Sequence, residues 1–194
     1  VLLFSKRPVQ ELSGCTVLLS ASSRTSILLL ELFCRHRWGV RPHFATARAE
    51  AADLHALSGL PHDAVLVIGD AALHLSGSSA YPVCIDLGAE WKAWTGLPFV
   101  FAVWAARRDA PPDRVKKVHQ KLLESRSWGL AHLEELAALA TRNTGVEALV
   151  CRDYLAGLDY ALSYRHLAGL TDFFRRLAQD GLVPDGSLSF ISAA

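Results

Sequence analysis

The chain has 194 residues, enough for one large domain or two small lobes. Apolar residues make up 51% of it and charged residues 20%, which excludes a disordered tail or a low-complexity linker. Its 20 Lys and Arg against 19 Asp and Glu leave a net charge of +1, whereas a nucleic-acid or anionic-membrane protein carries a larger, clustered excess.

Val1 to Phe4 reads as a strand, and the stretch through Pro8 to Gly14 as turns. Cys15 to Leu19 is a short β-branched and apolar run between Gly14 and a serine cluster, the pattern of a buried parallel strand. Ser20 to Ser26 then leads into a helix over Ile27 to Arg37, ended by Gly39. The unit repeats. Pro42 to Ala45 is a second short strand and Ala49 to Leu57 a short helix. Ala64 to Ile68 is a third strand, followed by Gly69-Asp70 and a helix to Leu75, and Val83 to Asp86 is a fourth. Such alternation predicts an α/β fold with a largely parallel sheet.

Glu90 to Thr95 is a further helix, stopped by Gly96 and Pro98. Phe99 to Ala105 carries no charge and predicts a long buried strand. The apolar run around it, Ala93 to Ala106, is broken by Gly96 and Pro98 and is too short to cross a membrane, which takes about 18–20 residues. From Pro111 the period turns helical, with Val115, Val118 and Leu122, then Leu130, Leu133 and Leu136, on one face. A helix that long should break near Ser125 to Gly129. Val146 to Leu158 and His166 to Gln179 supply two more helices. The plan is therefore an α/β lobe over residues 1–105 and a helical part over 106–194. No internal repeat is visible.

Cys15, Cys34, Cys84 and Cys151 form no CxxC pair and predict reduced, buried thiols and a cytoplasmic setting. The 8 histidines make no HExxH and no Cys-His cluster, so no metal is expected. GxSxG, Walker and GxGxxG sequences are absent, so no nucleotide is expected either. The basic stretch Arg107 to Lys121 has no interleaved aromatics and reads as a solvated helix face, not a nucleic-acid site. The sequence contains no Met and opens directly in strand-like residues without a targeting segment. The expectation is that an N-terminal segment of the natural protein precedes Val1.

The strongest chemical signal is Ser22-Ser23-Arg24-Thr25-Ser26, after a strand and at the start of a helix. The first backbone N–H groups of a helix lack partners, and its dipole favours an anion there. A plain N-cap needs only one hydroxyl; this turn holds several. Capping and carboxylate binding both fit Ser23, Thr25 and Ser26 on spacing alone. Gly69-Asp70 lies beyond the end of a parallel strand, where open α/β sheets take ligands. Asp70 could equally cap the helix that it opens.

The run Asp86-Leu87-Gly88-Ala89-Glu90-Trp91, continuing through Thr95-Gly96-Leu97-Pro98-Phe99-Val100-Phe101-Ala102-Val103-Trp104, resembles the chorismate dehydratases of the futalosine route to menaquinone. Val1 to Lys6, Ser23 to Ser26, Ile68 to Leu73 and, more loosely, Tyr154-Leu155 and Gly169-Leu170 agree in order. The resemblance covers essentially the whole chain. It implies the two-lobed fold of type 2 periplasmic binding proteins, with residues 106–194 belonging to the other lobe. It also implies a cofactor-free hydro-lyase that converts chorismate, a small dianion, to 3-[(1-carboxyvinyl)oxy]benzoate and water. Ser23, Thr25 and Ser26 would then hold a substrate carboxylate, with Gly69 and Asp70 lining the same cleft. The family's catalytic Asn comes from an N-terminal lobe without a counterpart here; the chain's Asn143 sits in the helical part. Dihydroxynaphthoate synthase of the same pathway, a solute-binding protein on the same fold, and an inactive fragment are the alternatives. Phe99, Phe101 and Trp104 predict a face covered by a separate segment or by another chain, which allows a homo-oligomer.

Overall fold

The computed structural model describes residues 1–20, 23–47 and 59–185. Five strands form one sheet in the order β3-β2-β4-β1-β5, where β1 is Leu2–Ser5, β2 Thr16–Ser20, β3 His43–Ala47, β4 Ala64–Val67 and β5 Val83–Asp86. β2 pairs parallel with β3 and β4, whereas β1 lies antiparallel between β4 and β5. The expected largely parallel sheet is therefore mixed. Its first strand runs against the other four, and pairing direction is a property of the neighbours that a strand's own residues do not encode.

All four residues of β4, the central strand, are buried. Side chains alternate across the sheet with the period of two that a pleated strand imposes. Leu3, Val17, Leu19, Ala64 and Leu66 enter the larger core, while Phe4, Leu18, Val65 and Val67 enter a smaller one on the other face. That second face is closed by Ala71 and Ala72 of α2, Asp70–Leu75.

The larger core is closed by three helices. α1, Arg24–Leu32, buries Ser26, Leu29, Leu30 and Leu32 and runs on as a π-helical turn, Phe33–Trp38. α3, Leu87–Thr95, starts on the Asp86 carboxylate and buries Trp91. α7, Tyr164–Gln179, adds Phe173 and Leu177. Between them in sequence come α4, Pro112–Ala131, α5, Leu133–Thr144, and α6, Ala148–Gly157.

Two compact units result, one of Val1–Phe101 with the segment returning from Ala161, the other containing Ala102–Tyr160. In the second, Ala137, Val146 and Cys151 are buried between α5 and α6, while α4 buries none of its residues.

Two further expectations change. Phe99 to Ala105 is irregular, and residues 101–109 are all exposed. A strand needs a neighbour for its N–H and C=O groups, and this segment pairs with no strand of the sheet. No break occurs at Ser125 to Gly129: α4 runs to Ala131 and stops at His132, whose backbone (φ −125°, ψ 37°) is not helical. One glycine costs a helix only about 1 kcal/mol, too little to end it at Gly129. The helix expected over Ala49 to Leu57 lies outside the described residues, as does Ser22.

Candidate functional site

Leu2 of β1 faces Val67 of β4 on one side and Asp86 of β5 on the other, and Leu19 of β2 faces Leu66. The carboxyl ends of β2, β4 and β5 are therefore level with one another. Each leads into a helix there: β2 into α1, β4 through Ile68-Gly69 into α2, and β5 into α3. Ser23 to Ser26 and Gly69-Asp70 thus follow adjacent parallel strands at one sheet edge, where α/β folds take ligands.

At the start of α1, Ser23 is the N-cap, with extended backbone (φ −144°, ψ 103°). Its Oγ accepts the Ser26 N–H at 3.2 Å and lies 2.8 Å from the Ser26 Oγ. Ile27 N–H makes the first bond along the helix, to the Ser23 carbonyl at 3.3 Å. Among the described residues, the Arg24 and Thr25 N–H groups and the Thr25 hydroxyl have no hydrogen-bond partner. They sit at the positive end of the helix dipole. Thr25 is half-buried and Ser26 buried, so the turn presents Ser23 and Thr25 outward and keeps Ser26 beneath them.

Gly69 has φ 63° and ψ −146°, a conformation that only glycine adopts without strain. It turns the chain sharply from β4 into α2 and leaves both Gly69 and Asp70 exposed at the edge. The Asp70 side chain makes no cap hydrogen bond, because the N-cap position of α2 is Gly69. Asp86, which the sequence placed only in a strand, shares this edge. Its Oδ1 accepts the Gly88 and Ala89 N–H groups at 2.7 and 3.1 Å, so this carboxylate caps α3.

The opposite edge is a closed polar network. Asp63 accepts the Thr16 N–H at 3.0 Å and pairs with Arg7 at 2.6 Å. These contacts hold its carboxyl below the usual carboxylate range, the Thr16 bond most of all. Lys6 Nζ donates to the His62 carbonyl at 2.7 Å. The His62 ring is buried; Nδ1 donates to the Leu60 carbonyl at 2.7 Å, which leaves Nε2 to accept the Tyr81 hydroxyl at 2.6 Å. Burial pushes the His62 imidazole below its ordinary pKa and the Tyr81 phenol above its own. Donors without partners thus lie at one edge, and a satisfied network lies at the other. Among the described residues, no three His, Cys, Asp or Glu are grouped as a metal ion requires, and no helix is long and apolar enough to cross a membrane.

A family model described as menaquinone biosynthesis matches residues 1–179. The chain belongs to that family. It is 36% identical over 176 residues to the chorismate dehydratase of Thermus thermophilus, a match that covers 83% of this chain and 62% of the relative. The chain thus spans 62% of the length of that curated relative. Among solved structures, the periplasmic aliphatic sulphonate binding protein SsuA from Escherichia coli superposes with a TM-score of 0.56 at 17% identity, over 95% of this chain and 61% of that one. At that identity the likeness concerns fold alone, and it is the α/β periplasmic-binding-protein fold that the sequence predicted.

In this member of the menaquinone biosynthesis family, the distinctive run from Asp86 onward is chiefly structural. Asp86 caps α3. Trp91 is fully buried, with edge-on ring contacts to Trp94, Phe99 and Phe173. Thr95 Oγ1 donates to the Trp91 carbonyl and accepts the Leu97 N–H, and Gly96 ends the helix in the left-handed conformation. Both tryptophans therefore serve the core, and the Arg176 guanidinium covers the Trp94 ring at 4.2 Å.

Proposed function

We propose that the protein to which this chain belongs is a chorismate dehydratase, a cytoplasmic hydro-lyase that acts without metal or other cofactor. The observation that carries the reading is family membership over residues 1–179, together with 36% identity to a chorismate dehydratase. The sheet edge agrees with the substrate's chemistry. Chorismate is a dianion, and the α1 terminus offers two unpaired N–H groups and a hydroxyl at the positive end of a dipole. Each charge-assisted bond to a carboxylate is worth about 1.5–3 kcal/mol.

In this reading Thr25, with the Arg24 and Thr25 amides, binds a substrate carboxylate directly. Ser26 fixes Ser23 by hydrogen bonding, and the Ser23 hydroxyl proton then points outward as a further donor. Gly69 permits close approach of the backbone, and Asp70 accepts a hydrogen bond from the ring hydroxyl. Elimination breaks one ring C–H and one C–O bond. The C–H electron pair becomes part of the aromatic ring, and the hydroxyl leaves with a proton as water. Aromatisation supplies the driving force, so the site has chiefly to orient the dianion and assist proton transfer.

We propose the same division for the domains: an α/β lobe over 1–105, with 106–194 contributing helices to a second lobe, from which α7 returns to the first core. Val118, Trp128 and Leu149 are exposed on α4 and α6, an apolar surface that the remainder of a full-length protein would cover. Full-length protein should bind less of a fluorescent apolar dye than the 194-residue chain; equal binding, or concentration-dependent dimers of the full-length protein, would assign that surface to a second copy.

The activity test is direct. Full-length protein incubated with chorismate and EDTA should release 3-[(1-carboxyvinyl)oxy]benzoate. Chorismate bound but recovered intact would favour a solute-binding role on the same fold. Chorismate neither bound nor converted, with turnover of a later intermediate, would favour the dihydroxynaphthoate synthase of the pathway.

A further inference from the structure

Gly169 lies in the middle of α7, is buried, and touches the turn that ends α3. A Cβ at this position would stand 2.1 Å from the Pro98 carbonyl oxygen and 3.6 Å from the Leu97 Cβ. The helix therefore rests directly on peptide backbone, and any side chain larger than hydrogen must push the two apart. One turn earlier on α7, Arg165 Nη2 donates to the Gly96 carbonyl at 2.8 Å. The amino half of α7 is thus seated on residues 96–98 by one contact that fixes distance and one that fixes direction.

The other end of α7 grips the helix that carries the candidate site. Asp180, just past its last turn, bonds His36 Nε2 at 2.9 Å and lies 3.6 Å from Arg35, both on the π-helical continuation of α1. Between these ends Phe173 and Leu177 enter the same core as Leu29, Leu30, Leu32 and Phe33. The helix is braced at one end on the 96–98 turn and at the other on the carboxyl end of α1, whose amino end holds Ser23 and Thr25. Closely packed helices transmit a shift along their axis because their side chains interlock at crystal-like density.

We propose that Gly169 and Arg165 are positioning residues for the Ser23–Ser26 turn. Their seat on residues 96–98 sets the axial position of α7, and α7 sets that of α1. The proposal rests on the assignment of that turn to substrate binding. It adds the reason why a glycine is required in the interior of a helix, where it is less favourable than alanine. Neither residue touches substrate.

The test uses full-length protein carrying Gly169→Ala, Arg165→Ala or Arg165→Lys, with hydrogen exchange read alongside chorismate kinetics. Gly169→Ala should raise KM about tenfold with a smaller change in kcat, because the defect is in binding geometry. Amide exchange should accelerate over residues 24–30 while the strand amides of 2–5 and 64–67 stay protected. Arg165→Ala should move both readouts in the same direction by less, and Arg165→Lys should restore most of the loss. If Gly169→Ala does not fold, the exposed Arg165 pair decides. Lower melting with unchanged KM and uniformly faster exchange would overturn the proposal and leave a purely structural contact. Exchange does not depend on which substrate is turned over. A wild-type protein inert to chorismate would therefore count against the functional assignment, while localised exchange at 24–30 would still support the coupling.

Discussion

Ser26 lies beneath Ser23: their hydroxyl oxygens are 2.8 Å apart, and Ser26 is 1% exposed. Thr25 differs from both serines: it is half-buried, and its hydroxyl has no partner among the described residues. Thr25→Val, which keeps the shape and removes the hydroxyl, should weaken chorismate binding roughly tenfold to a hundredfold, one charge-assisted bond. Its melting temperature should stay within a degree or two of the parent. Isothermal titration and a melting curve on the same sample check both.

Ser23→Ala removes the cap of α1 and should cost about 0.5–2 kcal/mol of stability. Ser26→Ala loses only the buried hydroxyl pair and should cost about 0.5–1.5 kcal/mol. Urea midpoints order the two. If Ser23→Ala proved neutral for folding while abolishing binding, the cap would be of no consequence and the hydroxyl purely a ligand donor.

His62 predicts a pH dependence of stability. Its folded pKa lies below the ordinary 6.5 because the ring is buried. Above 6.5 the imidazole is neutral in both states and its contribution is fully present. As pH falls below that value, the unfolded chain takes up the proton first, and stability drops until the folded ring is protonated too. Asp63 adds a loss of the same sign further into acid, since its folded pKa is below the ordinary 3.8. Urea midpoints measured from about pH 7.5 to about pH 5 should fall for the parent and fall less for His62→Gln.

The four cysteines should divide by reactivity. Cys34 is buried, and burial with the nearby Glu31 carboxylate pushes its thiol up to about 12. Cys84 is exposed and Cys15 half-buried, while Cys151 is buried. A thiol reagent near neutral pH should label Cys84 and Cys15 in the folded protein and reach Cys34 and Cys151 only after unfolding. Mass mapping of the labelled peptides reads this directly. Labelling at Cys84 should speed up with pH, because partial burial and the Asp86 carboxylate raise its thiol pKa.

Trp91 separates packing from polarity. It is fully buried, and its indole N–H has no partner among the described residues. Trp91→Ala should cost about 3–5 kcal/mol through lost contacts and the cavity left behind. Trp91→Phe keeps much of the ring packing and removes a buried donor that is unpaired, so its cost should be clearly smaller. Denaturant titration of the two variants tests the ordering.

Local signals located most of the elements. Short apolar strands, the serine cap of α1 and the helix-stopping Gly39 and Gly96 act through a residue and its near neighbours, so they can be read along the chain. The Ser23 to Ser26 turn was legible for the same reason. Its internal division was not, because burial of Ser26 depends on what packs over it. Phe99 to Ala105 misled because an uncharged apolar segment looks like a central strand whether or not a partner strand is present.

The sequence by itself determined the α/β class, the helical segment after Pro111 and the turn able to meet an anion, since each follows from periodicity and capping chemistry within a few residues. The tertiary structure alone decided that β1 runs against its neighbours and that α7 belongs to the core of the first unit. It also decided that Gly169 must be bare to rest on the Pro98 carbonyl. Those outcomes depend on contacts between residues far apart in the chain, where neither strand direction nor the room left for a side chain is written in the local pattern.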